Sequence, residues 1–350
     1  MSSYIPHSKP AVGLAEAAAA ARVARGGQLA QGPEVAAFEA EAARKFGFRG
    51  AAAVSSGTAA LELSLRALGV GPGHEVLIPT YVCAAPWHAV RRCGAEPVLV
   101  DCEEGGANMC LKDAARKRTR RSRAVVAAGL FGVPIDLKDA AALGLPVVDD
   151  RAQSAGAASP GPKPDVCVLS FYANKLIAAG EGGMALSADV GILERLRDLR
   201  ECDERRPDKV RQNAKLTDLQ AAVGRVQLRR LPELLAARER LARAYDEAFK
   251  DLYVELPPRV PGRVHYRYVL GVPGGRLDRL IARLERAGVA ARRPVWRPLH
   301  WDVPCRGPFP HAECAWKTLL SVPLYPGLSR RDQARVVRAL VTEVTAIFAK

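Results

Sequence analysis

Lys175 has the setting of a reactive amine. It follows a short apolar run, Val166 to Phe171, in a turn that also carries Ser170 and Asn174, and Gly180-Glu181-Gly182-Gly183 then leads into a second apolar run. A lysine at the mouth of a strand, beside a serine and followed by glycines, is placed to form a Schiff base with an aldehyde cofactor. Glycines let a bulky planar group approach the backbone, because no Cβ stands in the way. Taken alone, the same lysine also reads as a surface residue on a β-turn.

Two further stretches bear on that choice. Ala51 to Val54 is a short apolar run that breaks at Ser55-Ser56-Gly57-Thr58, and Leu61, Leu65 and Leu68 then recur at helical spacing. The free N–H groups of such a helix start favour an anion. The turn lacks both the Walker lysine and the glycine spacing of a dinucleotide site, so it is either a phosphate cup or an ordinary capped helix. Asp149-Asp150-Arg151-Ala152-Gln153 ends another apolar run with paired carboxylates. A partly buried acid there could hold a heterocyclic nitrogen in its protonated form, or it could cap a helix.

The elements that must position these residues alternate between strand and helix. Strands are expected at Glu75 to Pro79, Glu96 to Asp101, Arg123 to Leu130 and Leu145 to Asp149, with helices between them. The pattern argues for an α/β fold with a largely parallel sheet covered on both faces. Ligands of such sheets sit beyond the carboxyl ends of the strands, where the Ser/Gly turn, Asp150 and Lys175 fall. Leu216 to Phe249 reads as a helix interrupted near Pro232. Beyond it come strand-like Leu252 to Leu256, a strand at Tyr266 to Val272, a helix at Leu277 to Ala287 and a loop rich in Pro, Trp and His from Arg293 to Pro310. A closing helix presents Val337, Leu340, Val341, Val344 and Phe348. A boundary near Ala236 divides the chain into a large domain, 1–235, and a small C-terminal domain, 236–350.

Composition narrows the function. The chain has 350 residues, 49% hydrophobic and 25% charged, which suits a globular protein with room for about two domains. No window approaches a membrane span and the N-terminus has no signal-peptide pattern. Eight scattered cysteines without metal-ligand spacing fit reduced thiols, so a cytoplasmic protein with no metal site is expected. The net charge of +15 would suit an anionic partner, but the arginines are dispersed and aromatics are only 6%. The stacking-plus-charge signature of a nucleic-acid platform is missing.

Together the motifs resemble the sugar aminotransferases of the DegT/DnrJ family, from about Gly32 to Ala339. The resemblance rests on GPEVAAFEAEAARKFG, SSGTAALELSLRALGVGPGHEV, PVLVDC, VVDDRAQSAGA, LSFYANK with GEGGMAL, QNAKLTDLQAAVGRVQL and SVPLYPGLS, in that order. It implies the aspartate-aminotransferase fold (fold type I), with a mostly parallel seven-stranded sheet and a smaller C-terminal α+β domain. The implied cofactor is pyridoxal 5′-phosphate (PLP). By the resemblance Lys175 is the Schiff-base lysine and Asp150 the partner of the pyridine nitrogen. Gln153 lies near the ring's phenolic oxygen, and Gly57, Thr58 and Ser170 form the phosphate cup. Asn213 reaches the phosphate of the neighbouring subunit, so a homodimer with shared sites is implied. The implied reaction moves an amino group from glutamate or glutamine to a keto-sugar, expected to be nucleotide-linked.

Three positions depart from the family pattern. His74 replaces an aspartate in a turn, Asn174 stands where threonine commonly precedes the lysine, and Cys83 occupies the place of an aromatic ring that stacks on the cofactor. Tyr266, Trp296, His300 and Trp301 are candidates for a sugar-facing wall, or for packing at the domain junction. Alternatives are a cyclitol or other cyclic-ketone aminotransferase, and a PLP sugar dehydratase, although the related dehydratases usually carry histidine in place of the lysine. From another class comes a non-catalytic protein of the same fold that regulates or binds an anionic polymer.

Overall fold

Alternate residues of the central strands are buried on opposite sides, and this fixes the layers. The structure, a computed structural model, describes residues 4–348. Seven strands form one sheet: β1 (Gly50–Val54), β2 (Glu75–Pro79), β3 (Glu96–Val100), β4 (Ser122–Ala128), β5 (Val147–Asp150), β6 (Val166–Ser170) and β7 (Gly183–Ser187). Their order is β1-β7-β6-β5-β4-β2-β3. All neighbours are parallel except β7, which runs antiparallel to both β1 and β6. Since β1 and β6 both oppose β7, they point the same way as the parallel set. The carboxyl ends of β1, β2, β4, β5 and β6 therefore share one edge, and β7 begins there.

Helices cover both faces: α1 (Leu14–Gly26), α2 (Pro33–Phe46), α3 (Gly57–Ala67), α4 (Ala85–Arg92), α5 (Leu111–Lys117), α6 (Leu137–Ala141), α7 (Val190–Leu199) and α8 (Asp218–Phe249). Val166 and Val168 of β6 pack with Leu61 and Leu65 of α3 and Leu196 of α7. Cys167 and Leu169, one residue out of phase, pack instead with Phe38 of α2 and with Leu228 and Leu231 of α8. This is the period-two signature of a sheet buried on both sides. Leu77, Val125 and Ala127 form a separate core beneath α5 and α6.

The C-terminal part contains β8 (Tyr268–Gly271), α9 (Leu277–Arg286), α10 (Pro310–Thr318), β9 (Leu319–Val322) and α11 (Arg330–Phe348). Strands β8 and β9 pair antiparallel as a second sheet. Their core takes Leu241, Tyr245 and Phe249 from α8, Leu280 and Leu284 from α9, and Val336, Leu340 and Val344 from α11. The boundary expected near Ala236 lies within α8, whose first half packs on the large sheet and whose second half packs on this core. Residues at the N-terminal end also dock here. Ile5 bridges Val289, and His7 Nε2 meets Ser321 Oγ at 2.8 Å.

Three sequence expectations change. Helix α8 continues through Pro232 without a break, because apolar contacts before and after it outweigh the loss of one N–H. Leu252 to Leu256 is not a strand; only Glu255 forms a bridge, to Gly271. Helices α1 and α10 and strand β9 were not expected from the sequence.

Candidate active site

The shared strand edge collects residues from far apart in the chain. After β6, Lys175 sits in a turn closed by its own N–H on the Tyr172 carbonyl at 2.8 Å. Its Nζ has no ion-pair partner among the described residues and lies 5.4 Å from the centroid of the Tyr266 ring. The Tyr266 hydroxyl donates to Asn174 Oδ1 at 3.1 Å, so the residue that departs from the family's threonine anchors the tyrosine that flanks the lysine.

Asp150 ends β5 on the same edge. Its Oδ1 accepts the Ala152 N–H at 3.0 Å, in a turn and not at a helix start, so the capping alternative does not apply. Burial pushes its carboxyl up, and the charge of Lys175 opposes that shift. The adjacent Asp149 is paired with Arg151, Nε to Oδ2 at 2.6 Å. Of the two carboxylates, only Asp150 lacks an ion-pair partner among the described residues. Cys83, in the segment after β2, is exposed. Desolvation nevertheless pushes its thiol up, while Lys175 and Asp150 act on it with opposite signs. These facts agree if the thiol opens into a recess, with Lys175 and Asp150 close by.

The cup lies on one side of this recess. Ser56 caps α3: its Oγ accepts from Ala59 N at 3.1 Å and its carbonyl from Ala60 N at 3.0 Å. The remaining free donors of the first turn are the N–H groups of Gly57 and Thr58. A Cβ on Gly57 would stand 2.9 Å from Ser170 Cβ, and one on Gly183 would press on the Ser56 carbonyl and lie 2.6 Å from Gly57 N. Both glycines are needed for the helix start to close against β6 and β7. The result sets two backbone donors and the Ser170 hydroxyl at one place, a donor set that fits a phosphate. Gln153 lies in the turn after β5, its Oε1 accepting the Phe131 N–H at 3.1 Å. Phe131 is held at φ 57°, a left-handed conformation rare for such a residue.

Of the four wall candidates, Tyr266 is the one whose ring meets the Lys175 amine among the described contacts. Trp296 is 83% exposed. His300 stacks on Phe309 with centroids 4.5 Å apart, and Trp301 meets Trp316 edge-on at 4.7 Å. This aromatic cluster is joined to the strand edge through Thr80, whose Oγ1 lies 2.8 Å from His300 Nδ1. Asn213 is exposed and makes no side-chain hydrogen bond among the described residues. Sequence reasoning missed Thr80, Arg238 and Arg267. Arg238 is 4% exposed and donates to the Tyr266 and Leu324 carbonyls, each at 3.0 Å. Arg267 lies 5.3 Å from the Tyr266 centroid. An arginine between two tyrosines in His265-Tyr266-Arg267-Tyr268 was the available signal.

The chain matches the model of the DegT/DnrJ/EryC1/StrS aminotransferase family over residues 11–341. It is 33% identical over 342 residues to a dTDP-3-amino-3,4,6-trideoxy-alpha-D-glucose transaminase of Streptomyces venezuelae, covering 92% of this chain and 90% of that protein. It is 36% identical over 340 residues to the erythromycin biosynthesis sensory transduction protein EryC1 of Saccharopolyspora erythraea, covering 91% and 92%. Among solved structures, the aminotransferase TlmJ of Streptoalloteichus hindustanus superposes with a TM-score of 0.93 at 32% identity, over 98% of this chain and 99% of that one.

Proposed function

The chain belongs to the DegT/DnrJ/EryC1/StrS aminotransferase family, and on that premise we propose that it moves an amino group from glutamate or glutamine to a nucleotide-linked keto-sugar, with PLP as cofactor. What carries this reading is that Lys175, Asp150 and Cys83 lie within electrostatic reach of one another and follow strand ends on the edge where α3 begins.

PLP, when bound, supplies an aldehyde that condenses with amines and a protonated ring that draws electrons from the neighbouring carbon. The N–H groups of Gly57 and Thr58 and the Ser170 hydroxyl would hold its phosphate, and Asp150 its ring nitrogen. Cys83 would offer a small, polarizable sulfur where the family pattern has an aromatic ring. Gln153, whose Oε1 is taken by the Phe131 N–H, would turn its amide N–H toward the ring's oxygen. Lys175 Nζ would hold the cofactor's aldehyde and would serve as the base that takes a proton from the donor's Cα. The missing counter-ion at Lys175 leaves its Nζ available for both tasks. Asn213, exposed and unengaged, suits a residue that serves the site of a second subunit in a homodimer. No helix of the described residues is long and apolar enough to cross a membrane.

Borohydride reduction of the PLP-supplied protein followed by peptide mapping tests the reading. The expected label is on Lys175, lost in Lys175→Ala, and incubation with glutamate and dTDP-linked keto-sugars gives amino-sugar products by mass. An unlabelled Lys175 overturns it. The name of EryC1, a sensory transduction protein, favours a regulatory protein of the same fold as the second reading, which expects no turnover and no label.

A further inference from the structure

Arg267 carries a charge that nothing among the described residues neutralises. Its neighbours are engaged: Tyr266 donates to Asn174 and Tyr268 donates to Asp246 Oδ1 at 2.7 Å. Arg267 itself makes no hydrogen bond and no ion pair among the described residues. Its Nη1 is shut off from solvent with no acceptor, while the residue as a whole is only half-buried. A guanidinium N–H removed from water without an acceptor is unfavourable.

The surroundings deepen the imbalance. Arg267 acts electrostatically on His7, Tyr81 and Arg238. Arg238 spends its own bonds on the carbonyls of Tyr266 and Leu324. Arg292 adds a further positive charge near His7. The Tyr266 ring meets two cations, with Lys175 Nζ at 5.4 Å and the Arg267 Cζ at 5.3 Å from its centroid. A positive site without a counter-ion among the described residues, against the same aromatic ring as the amine, is built to receive an anion.

We propose that Arg267 is one half of an ion pair that substrate completes, binding an anionic oxygen group of the molecule presented to Lys175. Guanidinium presents a planar fork of donors that matches paired oxygens on carboxylates and phosphates alike. The two sources are the carboxylate of the amino donor and the diphosphate of the sugar nucleotide. The inference rests on the aminotransferase reading, and its test separates the two.

Two unreactive probes, glutarate and dTDP, are titrated by calorimetry into wild type, Arg267→Gln and Arg267→Lys. Loss of a charge-assisted pair weakens the probe that Arg267 binds by about 10–100-fold in Arg267→Gln, and Arg267→Lys recovers part of the loss. The probe affected names the source, and KM for the matching substrate rises while kcat is kept. Unchanged binding of both probes to Arg267→Gln overturns the inference, as does wild type that binds neither. An equal loss for both probes together with weaker borohydride labelling of Lys175 also overturns it, because it marks a displaced Tyr266. Absence of that label in wild type is instead the failure of the aminotransferase reading.

Discussion

His7 gives the clearest quantitative test of how the N-terminal segment is held. The side chain is 5% exposed, bonded to Ser321, and faces Arg267 and Arg292. Burial first, and the two arginines second, lower its pKa from 6.5 to about 2. The folded protein therefore keeps His7 neutral where the unfolded chain protonates it. With the folded value depressed, this stabilisation is complete above the unfolded pKa and is lost as pH falls from 6.5 towards 2. At about pH 4.5, two units below the unfolded value, the cost is on the order of 2.7 kcal/mol at 1.36 kcal/mol per unit. His7→Gln can still bond to Ser321 but does not titrate. Urea unfolding followed by tryptophan fluorescence, at pH 7.5 and near pH 4.5, gives the double difference in which the carboxylates common to both proteins cancel. Wild type should lose roughly 2–3 kcal/mol more than His7→Gln over that interval. Parallel losses in the two proteins would refute the reasoning.

Three other outcomes are expected. Gly183→Ala forces a Cβ against the Ser56 carbonyl and Gly57 N; it should cost about 1–3 kcal/mol in unfolding free energy and weaken PLP retention on dialysis, and unaltered retention counts against the cup. Arg151→Met strips Asp149 of its partner at 2.6 Å, raising that buried carboxyl's pKa further, so stability is lost as pH rises; denaturation should show a penalty of about 3–5 kcal/mol at pH 8 that shrinks towards pH 5. Tyr266→Phe removes the bond to Asn174 but keeps the ring; a thermal melt should fall by no more than about 1.5 kcal/mol equivalent, with borohydride labelling of Lys175 retained.

What the sequence disclosed and what it hid follow from range. The Ser/Gly turn, Asp150 and Lys175 each lie in a local strand-to-turn pattern, so their shared position at the strand ends could be inferred from alternation alone. The family motifs then supplied roles that spacing does not contain. Contacts that join distant segments were not legible: Tyr266 reaches Asn174 across 92 residues, and Thr80 reaches His300 across 220. Aromatic type suggested a wall of four residues, but burial separates Tyr266 from Trp296, because exposure depends on what packs above a loop. Pro232 signalled a break, yet the leucines around it had partners in two cores. Strand β9 spans four residues, too few for periodicity to declare itself.

The unbroken course of α8 has a practical consequence. One rod bolts the C-terminal unit to the sheet, and no slack tether joins them. Cutting the gene at codon 236 would leave each fragment with half of that rod and a raw greasy seam, Leu228 and Leu231 on one piece and Leu241, Tyr245 and Phe249 on the other. Arg238 and its two carbonyl acceptors would stay together on the C-terminal piece, but the Tyr266 bond to Asn174 would be split between the two fragments. The two halves are thus better regarded as one unit of inheritance than as modules to be shuffled.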